Sequence, residues 1–236
     1  MVKKIAWFLG AVLTVVLLWP RHDQRGPDWD QLRQSVVQFE VRSSTTILGQ
    51  HVSFGWTGSG FLVSPDGYIV TAAHVVDGVN DNEIAVRTWG APGFVLKARV
   101  VYKNGTDDIA VVKVELPGYE LPYLKLGDGE ALKVGDEVYV MGHPLGLDWS
   151  AMATKLAAKR FIEQTIVPEG SGEIEAYVFQ LMAPIASGVS GGPVVDKRGE
   201  VVAMAHNAYV SPGHAQINFA VPVEKIKWVM ASLGLN

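Results

Sequence analysis

A serine surrounded by glycines stands near the C-terminal end of the 236-residue chain, in SGVSGGP from Ser187 to Pro193. Glycine and serine are common in ordinary turns, so the pattern is compatible with a simple loop. The alternative is a nucleophile, because residues without a Cβ let the backbone beside the hydroxyl approach a substrate closely. A serine hydroxyl is a weak nucleophile until a base takes its proton, so this hypothesis for Ser190 requires a histidine and a carboxylate to orient it.

Six histidines are available as the base. Five of them stand in turn-like or linker contexts, where an exposed loop histidine is the simpler interpretation: His22, His51, His143, His206 and His214. His74 differs, because it ends a predicted strand, VTAAHVV, directly after the small residues Ala72 and Ala73. A histidine whose hydrogen bonds are satisfied inside the core is the alternative at that position.

The elements that must position these residues are mainly strands. From Val36 onward, short apolar or alternating runs are separated by Gly, Pro, Asn and Asp. GFLVS, PDG and YIVTAAHVV form a hairpin by turn chemistry, as do IAVRTW, GAPG and FVLKARVVY. Many short strands with regular turns predict an all-β barrel or sandwich.

Two segments favour helix. PVEKIKWVMASLGL places Ile226, Val229, Met230 and Leu233 at helical spacing before Gly234, which predicts a closing amphipathic helix. MATKLAAKRFIEQ, residues 152–164, also consists of good helix formers, so its local propensity conflicts with its place in the middle of a β protein.

Composition excludes several functions. The net charge is −4 and no Lys/Arg cluster is present, which argues against nucleic acid as a partner. The chain contains no cysteine, so a thiol nucleophile, disulfides and iron–sulfur clusters are excluded.

The N-terminus is hydrophobic. Lys3 and Lys4 precede an uncharged run from Ile5 to Trp19, which as a helix would reach about 22 Å, short of the ~30 Å hydrocarbon core. No small-x-small cleavage site follows, so we favour an uncleaved signal anchor over a cleaved signal peptide or a buried helix. The lysines favour a cytoplasmic N-terminus, with the body tethered to the membrane on the other side. We therefore expect a signal anchor or signal peptide over residues 1–20 and a linker over residues 21–34.

Five collinear segments resemble one protease family. GSGFLVSPDGYIVTAAHVV resembles the histidine segment of trypsin-like serine proteases, in the form typical of the HtrA (Deg) family. TDDIAVVKV resembles its aspartate segment, and GVSGGPVVDKRGEVVAM its serine segment. LKLGDGEALKVGDEVYVMGHPLGL is similar to the opening of the family's second barrel, and INFAVPVEKIK to its closing strand and helix.

The resemblance implies an all-β fold of two six-stranded antiparallel barrels with a C-terminal helix. We expect the protease domain over residues 35–236, with barrel 1 at about 35–125, barrel 2 at about 126–222 and the helix at about 223–233. It also implies strand and loop for MATKLAAKRFIEQ, against the propensity of that segment. The chain ends too soon for the PDZ domain that often follows in HtrA proteins, and a trimer of protease domains stays an open alternative.

By position, the resemblance makes His74 the general base, Asp108 its orienting carboxylate and Ser190 the nucleophile. It also implies an oxyanion hole formed by the backbone N–H groups of Gly188 and Ser190. The expected activity is a serine endopeptidase that hydrolyses exposed polypeptide segments through an acyl-enzyme, with neither cofactor nor metal. The neighbouring Asp107 is expected to face solvent or to cap the preceding turn.

The resemblance also locates the substrate pocket. In trypsin-like enzymes the base of this pocket lies six residues before the serine, here Pro184, and the other predicted lining residues are Ile185, Ala205, His206 and Asn218. No carboxylate is present at the base to receive Lys or Arg, so we expect cleavage after small or medium apolar residues.

Two residues depart from the family pattern, and two other functions are alternatives. Val189 stands where the family usually has Asn or Asp, and His143 where Asn is commoner.

GVSGG also fits the nucleophile elbow of α/β-hydrolases, but that motif requires a helix after Ser190, whereas PVVDKRGEVVAM predicts a hairpin. The other alternative is a membrane-tethered binding or chaperone module on a trypsin-like fold with little turnover.

Overall fold

The structure is a computed structural model that describes residues 26–47, 50–89, 95–115, 120–162, 176–182, 186–209 and 217–235. The predicted signal anchor over residues 1–20 lies outside the described residues, as do Pro184 and Ile185. Within the described part of the chain, no helix is long and apolar enough to cross a membrane.

The first barrel is formed by the N-terminal half of the described chain. Its antiparallel strands are β1 (Val36–Ile47), β2 (Gln50–Leu62), β3 (Tyr68–Thr71), β4 (Ile84–Thr88), β5 (Val95–Asn104) and β6 (Ile109–Val114). They hydrogen bond in the order β1-β2-β3-β6-β5-β4, and pairing of β1 with β4 closes the barrel. The predicted hairpin around PDG is present, since Leu62 pairs with Ile69.

The second barrel repeats this arrangement in the C-terminal half. Its antiparallel strands are β7 (Glu137–Gly142), β8 (Ser150–Ile162), β9 (Ala176–Leu181), β10 (Pro193–Val195), β11 (Val201–Tyr209) and β12 (Ile217–Pro222). Their order is β10-β11-β12-β9-β8-β7, and β10 pairs with β7 to close the barrel. The predicted fold of two six-stranded antiparallel barrels is confirmed.

Strand β8 contains most of the segment whose propensity favours helix. Met152 to Ile162 are all in this strand, which pairs with β7 through Val140 and Met152 and with β9 through Arg160 and Val178. Pairing on both edges, together with complete burial of Leu156, outweighs the weak intrinsic preference for helix. The expectation of a strand is confirmed for these residues, while Glu163 and Gln164 lie outside the described ranges.

Two helices flank the barrels. α1 (Trp29–Ser35) begins after Asp28, whose carboxylate accepts hydrogen bonds from the N–H groups of Asp30 and Gln31, and it occupies the end of the predicted linker. α2 (Val223–Ser232) buries Ile226, Val229 and Met230, three of the four apolar residues that predicted it.

One apolar core joins the two barrels. It contains the interior of barrel 1, including the fully buried Phe39 and Phe61, and continues through Met141 and Met204 of barrel 2 to Ile226 of α2. The interior of barrel 2 forms a second core. This shared core packs barrel 2 and α2 against barrel 1 at the density of a protein interior.

Candidate active site

His74 lies in a single 3₁₀ turn, Ala73–Val75, that follows β3 directly. Two hydrogen bonds fix this turn. The Ala73 N–H donates to the carbonyl of Asp108 at 3.1 Å, and the Trp56 indole donates to the carbonyl of Val75 at 2.8 Å. The methyl groups of Ala72 and Ala73 are buried, whereas the His74 side chain is 46% exposed. The small residues therefore let the turn pack closely while the imidazole faces solvent.

Asp108 directly precedes β6 and has a left-handed backbone, with φ of 51°. Asp is one of the few residues that tolerate this conformation. It directs the carboxylate at His74: Oδ1 accepts from the His74 N–H at 2.9 Å and Oδ2 accepts from its Nδ1 at 2.8 Å. Because a carboxylate can only accept, Nδ1 carries the hydrogen, and in the neutral ring Nε2 has a free lone pair.

A second imidazole contacts the same carboxylate. His206 lies on β11, and its Nδ1 is 2.5 Å from Asp108 Oδ2. Burial raises the pKa of Asp108, but the hydrogen bonds from His206 and His74 outweigh burial and hold that pKa well below its usual range. Asp108 is therefore an ionised carboxylate shared by two histidines.

Ser190 lies in the turn that precedes β10, and both barrels hold it. Its carbonyl accepts from the N–H of Ser59 in barrel 1 at 2.9 Å. Its hydroxyl donates to the backbone carbonyl of His206 at 2.8 Å. His206 therefore contacts Asp108 through its ring and Ser190 through its carbonyl, and it links the Ser190 turn to the His74–Asp108 pair.

The glycines beside Ser190 are explained by close backbone packing. Gly188 has φ of 96°, and a Cβ there would lie 2.4 Å from the carbonyl oxygen of His143. Gly191 has φ of 84°, and a Cβ there would lie 2.2 Å from the carbonyl oxygen of Ser59. Among the described residues, none accepts a hydrogen bond from the N–H of Gly188 or Ser190.

Ser59 and His143 support this loop from beneath. The Ser59 hydroxyl donates to the carbonyl of Gly188 at 2.6 Å and accepts from the backbone N–H of His143 at 3.0 Å. The ring of His143 is fully buried, with Nδ1 3.2 Å from the same hydroxyl. Burial lowers the pKa of His143 to about 4, so the ring is neutral at pH 7.

The two departures from the family pattern have structural explanations. Val189 is 3% exposed and packs into the core of barrel 2, so an apolar side chain suits that position. His143 takes its place in the support of the Gly188 loop through its backbone N–H, which any residue but proline provides.

Asp107 and Asp108 point to different partners. Asp107 Oδ1 lies 2.5 Å from Lys225 Nζ of α2, and its N–H donates to the Asn104 side chain. Asp107 is thus in the predicted turn, but instead of facing solvent its carboxylate joins α2 to barrel 1.

The predicted pocket residues are only partly described. Ala205 and Asn218 are buried on the neighbouring strands β11 and β12. The ring of His206 lies against Asp108, a contact that the local sequence does not predict. The expectation that His51 and His206 stand in turns or linkers was wrong, because both lie in strands. The continuous apolar run that precedes His206, Val201–Ala205, was the available signal for its strand.

Known proteins are similar to this chain in sequence. Residues 58–204 match the family of the trypsin-like peptidase domain. The chain is 37% identical over 170 residues to a protein of Pseudomonas savastanoi pv. phaseolicola named probable periplasmic serine endoprotease DegP-like, covering 71% of this chain and 32% of the relative. A relative of the same name from Hahella chejuensis is 37% identical over 180 residues, covering 75% and 35%.

Two solved structures resemble the fold. The Rv3671c protease from M. tuberculosis in its active form has a TM-score of 0.69 and 25% identity, covering 88% of this chain and 84% of that one. The HtrA-type protease AlgW with a decapeptide has a TM-score of 0.69 and 23% identity, covering 87% and 67%.

The chain belongs to the family of trypsin-like peptidases, as both its fold and its sequence indicate. Within it, the expected relationship to the HtrA (Deg) serine proteases is confirmed, and a serine-type peptidase is the enzyme class of that family. The chain spans about a third of the length of the curated relatives it matches.

Proposed function

We propose that the chain is a serine endopeptidase that forms an acyl-enzyme on Ser190. The observation that carries this proposal is the double hydrogen bond from His74 to Asp108, 2.9 Å to one carboxylate oxygen and 2.8 Å to the other. It fixes the imidazole with Nδ1 protonated and Nε2 able to accept a proton, which is the arrangement a serine nucleophile needs.

The reaction begins with a rotation of the Ser190 side chain. Its hydroxyl proton is directed at the carbonyl of His206, so the Oγ–H must turn toward His74 Nε2 before attack. His74 then takes the proton as Oγ bonds to the substrate carbonyl carbon, and Asp108 stabilises the imidazolium that forms. His74 returns this proton to the leaving amine, and water hydrolyses the ester in the same way.

The oxygen of the attacked carbonyl becomes an anion in this step. The N–H groups of Gly188 and Ser190 are the donors we assign to it, because both belong to one rigid turn supported by Ser59 and His143. Preorganised donors of this kind are worth on the order of 10²–10³ in rate each.

Polypeptides are the proposed substrates, cleaved after small or medium apolar residues. Ala205 and Asn218 are uncharged and buried, and Pro184 also provides no carboxylate for a cationic side chain. A peptide library cleaved mainly after Arg or Lys would contradict this preference. The names of the periplasmic relatives support a place outside the cytoplasm, with residues 1–20 as the proposed anchor.

Replacing the nucleophile tests the whole proposal. Ser190→Ala should abolish hydrolysis of unfolded casein and labelling by a fluorophosphonate, which reacts with activated serines, while circular dichroism stays unchanged. Casein hydrolysis by Ser190→Ala at the parent rate would exclude this mechanism. A parent chain that is neither labelled nor active would instead support a binding or chaperone module.

A further inference from the structure

The carboxylate of Asp108 contacts two imidazoles, those of His74 and His206, whereas the proposed reaction uses only that of His74. His74 comes from the turn after β3, Asp108 from the start of β6 and His206 from β11, so both barrels contribute. Asp108 Oδ2 is 2.8 Å from His74 Nδ1 and 2.5 Å from His206 Nδ1. One ligand atom from each residue lies within 4.8 Å of the other two.

Two imidazoles and one carboxylate form a donor set that borderline divalent ions prefer. Imidazole suits zinc, copper and nickel, whereas magnesium and calcium prefer sites made of oxygen atoms. Three protein ligands with one open position are also the usual set of an accessible zinc site.

We propose that His74, Asp108 and His206 bind a divalent transition-metal ion of the zinc type, and that this ion reversibly inhibits the enzyme. The binding depends only on the three side chains, while the inhibition rests on the proposed protease function. The ion takes no part in peptide hydrolysis.

Binding such an ion requires the three ligand atoms, which lie within 4.8 Å of one another, to adjust their spacing. Ligand atoms of a tetrahedral zinc site are about 3.3 Å apart, so the two hydrogen-bonded contacts must each open by about 0.5–0.8 Å. The side chains of Asp108 and His206 are only 8% and 11% exposed, which fixes two of the ligands. His74 is 46% exposed and can move, and its exposed face provides the path by which an ion enters.

Inhibition follows from the chemistry of His74. If the metal binds Nδ1, the proton of the neutral ring shifts to Nε2, and that nitrogen can no longer accept a proton from Ser190. If the metal binds Nε2, it occupies the same lone pair directly. In both cases the general base is lost, and the positive ion replaces the two N–H groups as the partner of the Asp108 carboxylate.

Zinc binding is measured directly in the full chain carrying Ser190→Ala, which keeps all three ligands and prevents self-digestion. Isothermal titration calorimetry with zinc chloride should give one ion per chain. Adding His206→Gln, which keeps an amide donor beside Asp108, should weaken zinc binding at least about tenfold. His51→Ala is the matched control, because His51 is exposed on β2, and it should leave the affinity unchanged.

The parent enzyme supplies the second measurement. Zinc chloride should inhibit peptide hydrolysis and a chelator should restore it, while magnesium or calcium chloride at the same concentration should have no effect. His206→Gln should shift the inhibition curve of its own residual activity to higher zinc concentration by at least about tenfold.

Each outcome decides the proposal. Absence of zinc binding, or binding that His206→Gln leaves unchanged, overturns it. If His206→Gln does not fold, His74→Ala removes another ligand at an exposed position, and unchanged zinc affinity in that variant overturns the proposal as well. A chain that binds zinc through these residues but hydrolyses no peptide would refute the proposed function and leave the metal site standing.

Discussion

The two barrels supply halves of the site that are constrained in different ways. Barrel 1 orients the proposed base, since His74 makes two hydrogen bonds to Asp108 within that barrel. Barrel 2 holds the proposed nucleophile in a backbone turn, and the hydroxyl of Ser190 is directed at the carbonyl of His206. The proposed base is therefore already oriented, while the proposed nucleophile needs one rotation.

This difference indicates what each half depends on. In the proposed mechanism, the barrel 1 half depends on one buried charge, because Asp108 orients the imidazole and would stabilise its cation. The barrel 2 half depends on backbone shape, because the proposed donors are the N–H groups of Gly188 and Ser190, whose direction the turn sets. A change of charge should disable the first half, and an added methyl group the second.

Removing the charge of barrel 1 should have the largest effect. Asp108→Asn leaves the shape of the side chain but lets an amide donate to His74 Nδ1, which favours the wrong tautomer. We expect kcat to fall on the order of 10⁴-fold, as in the well-studied serine proteases. Steady-state kinetics near neutral pH, with circular dichroism to confirm folding, measure this. A variant within tenfold of the parent would show that the charge of Asp108 is not needed.

Changing the backbone shape of the barrel 2 turn should have the second-largest effect. Gly188→Ala places a Cβ 2.4 Å from the carbonyl of His143 at a φ of 96°, so the turn must shift and take the Gly188 N–H with it. We expect kcat to fall on the order of 10²–10³-fold. Gly135→Ala is the matched control, because Gly135 has φ of 95° but open space around its Cβ position. Equal losses of kcat in the two variants would exclude a specific role for Gly188.

His143, which supports the Gly188 turn, should make the stability of the folded protein sensitive to acid. The pKa of His143 is about 4 in the folded protein because the ring is buried, whereas an ordinary histidine titrates near 6.5. The unfolded chain therefore binds the proton first, so the contribution to stability is complete above about pH 6.5 and is lost as pH falls toward 4. The loss amounts to about 3 kcal/mol.

Urea unfolding between pH 7 and pH 4.5 measures this loss. His143→Asn removes the titrating ring while retaining the backbone N–H that supports Ser59, so its stability should fall less steeply over this range. Parallel curves for parent and variant would mean that His143 does not cause the acid sensitivity.

Sequence predicted the parts of the molecule that local patterns determine. The hairpins and α2 followed from turn residues and periodicity, and the strand over Met152–Ile162 followed from the family resemblance against its own propensity. The segments around His74, Asp108 and Ser190 were found because their motifs are contiguous in the chain.

Contacts between distant segments were not predictable in this way. His206 meets Asp108 across 98 residues of chain, and nothing in the sequence around His206 marks a carboxylate partner. The same is true of Lys225 and Asp107, which are 118 residues apart. Both contacts depend on the docking of barrel 2 and α2 against barrel 1, which local periodicity does not encode.

The smallest effect is expected from Asp107, the neighbour of Asp108, the proposed catalytic carboxylate. Its ion pair with Lys225 is 2.5 Å long, but both side chains are about a third exposed, so it should contribute at most about 1 kcal/mol. Asp107→Asn should lower kcat well under tenfold and the thermal midpoint by only about 2–4 °C. Lys225→Gln should lower the midpoint equally, and the double variant should add nothing further, because all three remove the same pair. If Asp107→Asn instead lost activity as severely as Asp108→Asn, the charge that orients His74 would have to be reassigned, and with it the division of the site between the two barrels.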